Sequence, residues 1–184
     1  MPFDYSNSKK PSGTDRAALY QALKKRLPGL FNDMTEWLLH IEYSSGSEML
    51  ESTQAFLSAF CEGNFRPNVA QRLANAGYEL LENGLQYGGI REKVVIQMMR
   101  STSMIGVCVV NEAISARSSI LTQHLARIEA DPEGVYLEEF RRSLGPTQST
   151  RSMLGLARVA HEAKLRLLSE VRGQQVAVIA VSAG

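Results

Sequence analysis

The sequence predicts an α+β fold, a two-layer sandwich in which a mostly antiparallel sheet is covered on one face by helices. Segments with the apolar spacing of amphipathic helices outnumber the segments of β-prone residues. Two β-prone segments are joined by only three residues, 101–103, which is typical of an antiparallel hairpin. Runs of helices between a few strands are characteristic of α+β architecture.

Capping residues, stop signals and periodicity divide the chain into its elements. Asp15 and Ser47 favour helix N-termini, and Pro67 suits the first turn of a helix. The aromatic and partly β-branched segment Trp37–Tyr43 has the composition of a strand. The predicted order is helix 15–27, strand 37–43, helix 47–62, helix 67–87, strands 93–100 and 104–111, helix 114–130, turn 131–134, helix 135–144, loop 145–150, helix 151–170 and a closing strand within 173–183.

Composition and charge argue against several classes of protein. The 184 residues carry a formal net charge of +1, so no basic field favours nucleic acid. The three histidines have no metal-ligand spacing with one another or with the two cysteines, which argues against zinc and predicts buried free thiols. No apolar run is long enough to span a membrane, and the polar N-terminus does not resemble a signal peptide. We expect a cytoplasmic protein with a flexible tail at 1–14 and a single domain at 15–184.

The helix predicted at 67–87 carries a carboxylate and a carboxamide one turn apart. Glu79 and Asn83 are four residues apart, so both side chains point to the same side, at the border between core and solvent. An amide oxygen is a hard, neutral ligand for Mg²⁺, and a carboxylate one turn earlier can accept a proton from a hydroxyl group. The alternative is an ordinary solvated helix face, on which Glu and Asn at this spacing are common.

The segment YELLENGLQYGG resembles the N-box of the GHKL (Bergerat-fold) ATPases, which include histidine kinases, Hsp90-type ATPases and anti-sigma-factor serine kinases. The resemblance implies that Glu79 is the catalytic base and that Asn83 binds Mg²⁺. The order of elements after the box also fits that fold, and the likeness covers roughly residues 37–182. Within the superfamily the chain is most similar to the small bacterial SiaB-type protein kinases. A histidine-kinase-like ATPase fold with ATP and Mg²⁺ as cofactors is therefore implied for residues 15–184.

Two other motifs of the family have altered counterparts in this chain. Asn111 stands where the family has the Asp that binds the adenine amino group, which implies an adenine contact for Asn111. Leu154 and Gly155, within SMLGLARVAHEA, resemble the second glycine box, where a helix N-terminus binds phosphate. Arg151 stands where the family has a glycine, and either Arg151 or Arg158 is an alternative phosphate contact.

The resemblance leaves two functions open. The first is an ATP-binding regulatory protein that phosphorylates or sequesters a small STAS-like or SiaC-like partner in a bacterial partner-switching circuit. As an active enzyme it would be a serine/threonine kinase of the anti-sigma-factor type. The second is a nucleotide-free, degenerate member of the fold that acts as a protein–protein interaction module, which the missing glycines and the missing Asp favour. An unrelated helical regulator is a third alternative, and a homodimer is a further expectation.

Overall fold

The computed structural model describes residues 13–32, 34–44, 50–87, 93–113, 115–144 and 151–183. Within these ranges the chain forms six helices and five strands. In chain order they are α1 (Gly13–Arg26), β1 (Glu36–Ser44), α2 (Leu50–Asn64), α3 (Pro67–Tyr87), β2 (Lys93–Arg100), β3 (Met104–Glu112), α4 (Ser115–Ala130), α5 (Pro132–Ser143), α6 (Arg151–His161), β4 (Arg166–Arg172) and β5 (Gln175–Ala183).

The five strands form one antiparallel sheet in the order β1-β2-β3-β5-β4. The predicted hairpin is present, because β2 pairs with β3 across the short connection, with Val95 opposite Val110. Successive side chains of a strand point to opposite faces, so the sheet separates two apolar cores. In β5, for example, Val178 belongs to one core and Ile179 to the other.

Helices α2 to α6 pack on one face of the sheet and form the larger core. Helix α1 lies on the opposite face, where Leu19 and Leu23 form one core with residues such as Val95 and Ile179. The α+β prediction is confirmed, and α1 adds a helix to the face that the sequence prediction left uncovered. Both cysteines are buried and free, as predicted.

The predicted helix 151–170 is wrong in its second half. Helix α6 ends at His161, and the chain then forms β4, an edge strand paired with β5. Leu167 and Leu168 enter the cores on opposite faces of the sheet, which is the two-residue period of a strand. The error arises because Leu165 and Leu168 are three residues apart, a spacing that also occurs on one face of a helix.

Local backbone geometry explains where β5 and α5 begin. Strand β4 connects to β5 through Gly173, whose φ of 58° suits the first central position of a two-residue hairpin turn. The turn predicted at 131–134 is instead the first turn of α5. Asp131 caps this helix by accepting a 2.9 Å hydrogen bond from the backbone N–H of Gly134, and Pro132 occupies the first helical position.

Several sequence predictions fall outside the described residues. They are residues 1–12 of the predicted tail, the N-cap Ser47 and the loop 145–150. Among the helices that the structure describes, none combines the length and apolar content needed to cross a membrane.

Candidate active site

Helix α3 carries the candidate site and lies unusually close to the sheet at its C-terminal end. A Cβ atom on Gly84 would lie 2.8 Å from Cγ1 of Val109 and 3.1 Å from Cγ1 of Val94. Such distances are too short for ordinary van der Waals contact, so the close approach depends on a residue without a side chain. The approach brings the last two turns of α3 against the end of β3.

Asn83 is buried on this side of α3, with 4% of its surface exposed. Its Nδ2 donates a 2.7 Å hydrogen bond to the backbone carbonyl oxygen of Glu79, one turn earlier. Its Oδ1 is buried and has no hydrogen-bond partner among the described residues. A buried carbonyl oxygen without a partner is costly, because desolvation is not compensated. It is therefore available to a ligand.

Asn111, on β3, faces the same space. Its Nδ2 donates a 3.1 Å hydrogen bond to the carbonyl oxygen of Gly84, which ties β3 to the last turn of α3. Asn83 and Asn111 both line a small cavity between α3, the sheet and α4. The lining residues are Leu80, Asn83, Gly84, Val109, Asn111, Ala113, Arg117, Leu121 and Val178.

The cavity has a volume of about 10 Å³, which is room for a single water molecule. Its outer wall comes from α4, through Arg117 and Leu121. Arg117 also reaches the end of α3, where Nη1 donates a 3.5 Å hydrogen bond to the carbonyl oxygen of Gln86. A purine ring is far larger than one water molecule, so it would enter this cavity only if α4 moved away from α3.

The Glu79 carboxylate, one turn before Asn83, lies against α6. Its Oε1 accepts a 3.1 Å hydrogen bond from Nη1 of Arg158, and the Glu79 side chain is 13% exposed. A Cβ atom on Gly155 would lie 2.9 Å from Cδ of Glu79 and would overlap the carboxylate. Gly155 therefore leaves the space that the carboxylate occupies. Within the described part of the chain, Glu79 is not among the residues that line the cavity.

Two opposing effects act on the Glu79 carboxyl. Burial between α3 and α6 raises its pKa above the ordinary value, because the charged form is poorly solvated there. The Arg158 guanidinium opposes this rise, and the nearby Glu82 adds to it. Arg158 is therefore the cation that compensates for the partial burial of this carboxylate.

The first turns of α6 are held by α4. His124, buried on α4, contacts the carbonyl oxygen of Met153 through Nε2 at 3.1 Å. Leu154 is also buried. The backbone of Arg151 begins α6, but its side chain lies outside what the structure describes.

Comparisons with known proteins bear on the fold. No family model matches the sequence, and no curated protein matches it. A chain of the crystal structure of the SiaB–SiaC complex from Pseudomonas aeruginosa matches with a TM-score of 0.62 at 16% sequence identity, over 89% of this chain and 96% of that chain. The catalytic domain of the histidine kinase ThkA matches with a TM-score of 0.40 at 14% identity, over 79% and 95% of the two chains.

The chain has a GHKL-type fold. On this fold the residues singled out in the sequence divide into two groups. Asn83 and Asn111 share the cavity, whereas Glu79 and Gly155 meet at the contact between α3 and α6. The catalytic, metal-binding and nucleotide-binding roles of these residues stay predictions.

Sequence reasoning missed two features of this GHKL-type fold. The first is the ion pair between Glu79 and Arg158, whose partners are 79 residues apart. The second is the cavity wall formed by Arg117, for which the sequence contains no signal. The sequence did contain a partial signal for the close approach of α3 to the sheet. Gly84 directly follows Asn83, and a glycine within a helix usually has a packing reason.

Proposed function

We propose that this protein binds Mg-ATP and phosphorylates a small regulatory partner protein. One observation carries the proposal: Asn83 lines the cavity, and its buried Oδ1 has no hydrogen-bond partner among the described residues. Buried polar atoms in folded proteins are almost always paired, so such an oxygen needs a ligand to complete it. A neutral amide oxygen suits Mg²⁺, which prefers hard oxygen ligands.

The other residues of the site fit the same ligand. Asn111 uses its Nδ2 on Gly84, and its carbonyl oxygen remains as an acceptor for an amino group such as that of adenine. The N-terminus of α6, which begins at Arg151 just before Leu154 and Gly155, carries the positive end of the helix dipole and favours an anion. When bound, Mg²⁺ would neutralise charge on the phosphates.

Glu79 supplies the proton acceptor in this proposal. Its carboxylate would accept the proton of the partner's serine or threonine hydroxyl as that oxygen bonds to the γ-phosphorus of ATP, the bond from the γ-phosphorus to the β,γ-bridging oxygen breaks, and ADP leaves. Because Glu79 and Asn83 are one helical turn apart, the backbone of α3 keeps these two residues at a fixed separation. The partner is proposed to be a SiaC-like protein, since the matched structure contains a SiaB–SiaC complex.

The test is calorimetric titration of the protein with Mg-ATP, followed by transfer of labelled phosphate to a SiaC-like partner. We expect Asn83→Ala to abolish Mg-ATP binding. We expect Glu79→Gln to retain binding and to lose phosphate transfer, because Gln cannot accept the proton. Asn75→Ala is the matched control, since Asn75 lies on the exposed side of the same helix, where it accepts a hydrogen bond from Gln71. Absence of heat and of thermal stabilisation in the wild type at millimolar Mg-ATP would refute the proposal.

A nucleotide-independent interaction module is the second candidate function. The size of the cavity favours it, since about 10 Å³ admits only one water molecule. The Glu79 carboxylate also covers Gly155, where an anion would meet a negative charge. If this candidate is correct, the partner binds equally well with and without Mg-ATP, and Glu79→Gln does not change that affinity.

A further inference from the structure

The Glu79 carboxylate is held by contacts that do not involve Asn83's side-chain oxygen or the cavity. Gly155 provides the space beneath it, and Arg158 binds its Oε1 at 3.1 Å. Glu79, Gly155 and Arg158 together form a contact between α3 and α6. The Arg158 side chain is 47% exposed, so the guanidinium covers the carboxylate from the solvent side.

Arg158 is itself held by a second carboxylate. Its Nε lies 3.9 Å from Oε2 of Glu162, the first residue after the end of α6. The Tyr136 hydroxyl donates a 2.6 Å hydrogen bond to the other oxygen of Glu162, which anchors that carboxylate to α5. The ring of Tyr136 stacks on the ring of His161 with centroids 4.7 Å apart. The guanidinium therefore lies between two negative groups that hold it over α6.

Two polar side chains of the same turn of α3 thus have different neighbours. Asn83 faces the cavity, and the Glu79 carboxylate faces Gly155 and Arg158. A proton acceptor that works beside a ligand of Asn83 has to be near that cavity. In the structure the Glu79 carboxylate is not part of the cavity lining, and Arg158 binds it instead.

We propose that Arg158 is a positioning residue that holds the Glu79 carboxylate in an inactive position over Gly155 until the ion pair opens. This inference rests on the proposed function, because it concerns the base of that reaction. Opening the pair frees the carboxylate to turn towards Asn83. The half-exposed guanidinium is solvated when it leaves, so an incoming ligand or partner can shift the balance between the two positions.

The test combines a spectroscopic readout with separate measurements of affinity and turnover. Arginine side-chain ¹⁵N NMR of the nucleotide-free protein reports hindered rotation of a paired guanidinium as separate Nη signals. We expect separate Arg158 signals in the wild type and their collapse in Glu79→Gln. Arg158→Gln is then compared with Arg166→Gln, a matched control that breaks an exposed 3.1 Å ion pair between Arg166 of β4 and Glu129 of α4.

We expect Arg158→Gln to raise phosphate-transfer turnover about two- to fivefold, the range expected when one ion pair no longer holds the inactive position. The dissociation constant for Mg-ATP stays within about twofold of the wild type, and Arg166→Gln changes neither quantity. Gly155→Ala serves as a second variant, because its methyl group displaces the carboxylate while Arg158 remains, and it too should raise turnover.

Three results would overturn the inference. A fall in Mg-ATP affinity in Arg158→Gln, with Arg166→Gln unchanged, would make Arg158 a phosphate contact. A fall in turnover, or no change, at unaltered affinity would mean that Arg158 does not restrain Glu79. If neither the wild type nor any variant binds Mg-ATP, the proposed function fails and the inference fails with it, whereas the first two results leave the proposed function standing.

Discussion

Asn111 donates a 3.1 Å hydrogen bond from its side chain to the carbonyl oxygen of Gly84, and this bond joins β3 to the last turn of α3. Both residues line the cavity that Asn83 also faces. The bond therefore holds two walls of the candidate site in place. It also explains why a carboxamide is tolerated where the GHKL resemblance implies a carboxylate, since a carboxylate cannot donate to Gly84.

We expect Asn111→Asp to destabilise the protein by about 1–3 kcal/mol. The substitution replaces a buried donor by an acceptor that faces the Gly84 carbonyl oxygen, and an unsatisfied buried group has a cost of this size. Urea unfolding near neutral pH measures the change. Asn75→Asp, on the exposed side of α3, is the control and should stay within about 0.5 kcal/mol of the wild type. Equal stabilities for the two variants would contradict the bond to Gly84.

Gly84→Ala and Gly63→Ala should have opposite effects on the free energy of unfolding. A methyl group on Gly84 would lie 2.8 Å from Val109, so we expect a loss of about 1–3 kcal/mol from overpacking. Gly63, near the end of α2, has nothing within 4 Å of the added carbon. Ala is the better helix former there, and a gain of about 0–1 kcal/mol is expected. Thermal and urea unfolding of both variants would check this, and a stable Gly84→Ala would mean that α3 can move off the sheet.

Arg142→Ala should lower the free energy of unfolding more than Arg166→Ala does. Arg142 donates at 2.8 Å to Oε1 of Glu139, a carboxylate that is almost fully buried on α5, and Oε2 of Glu139 has no partner among the described residues. Removing the cation leaves a buried charge without compensation, for which we expect about 1–3 kcal/mol. Arg166→Ala breaks the exposed pair with Glu129 and should cost at most about 1 kcal/mol. Equal costs in urea unfolding would contradict the difference in burial.

His124 should make the protein less stable in mild acid. Burial lowers the pKa of His124 below its ordinary value, although the bond to the Met153 carbonyl oxygen and the nearby Glu139 oppose this, and Arg127 and Arg142 reinforce it. The unfolded chain therefore binds a proton at a higher pH than the folded chain does. Stability from this residue is complete above the ordinary pKa, near 6.5, and is lost as the pH falls from there towards the folded-state pKa.

The measurement is the free energy of unfolding of wild type and His124→Gln between pH 7.5 and pH 5. Gln retains an N–H donor for the Met153 carbonyl oxygen but does not titrate in this range. We expect the wild type to lose more stability than the variant over this interval. A parallel decline in both proteins would show that other groups cause the acid sensitivity.

The residues of the candidate site show how far sequence reasoning extends. The bounds of α3, Pro67–Tyr87, agree with the prediction, because a proline start and a long apolar arc are local signals. The i,i+4 spacing of Glu79 and Asn83 predicts that both point to the border between core and solvent, but only Glu79 is partly exposed, whereas Asn83 is buried. The spacing could not distinguish their neighbours, which come from α6 and β3, far along the chain.

Alone, the sequence determined the order of most elements, the hairpin of β2 and β3, and the helical turn that carries Glu79 and Asn83, since each depends on backbone periodicity over a few residues. Only the tertiary structure decided that β4 is a strand, that α1 covers the second face, and that Glu79 packs on Gly155 while Asn83 faces the cavity. The physical reason is the range of the interactions. Helical period and capping are local, whereas pairing with β5, burial between helices and the choice of an ion-pair partner depend on residues distant in sequence.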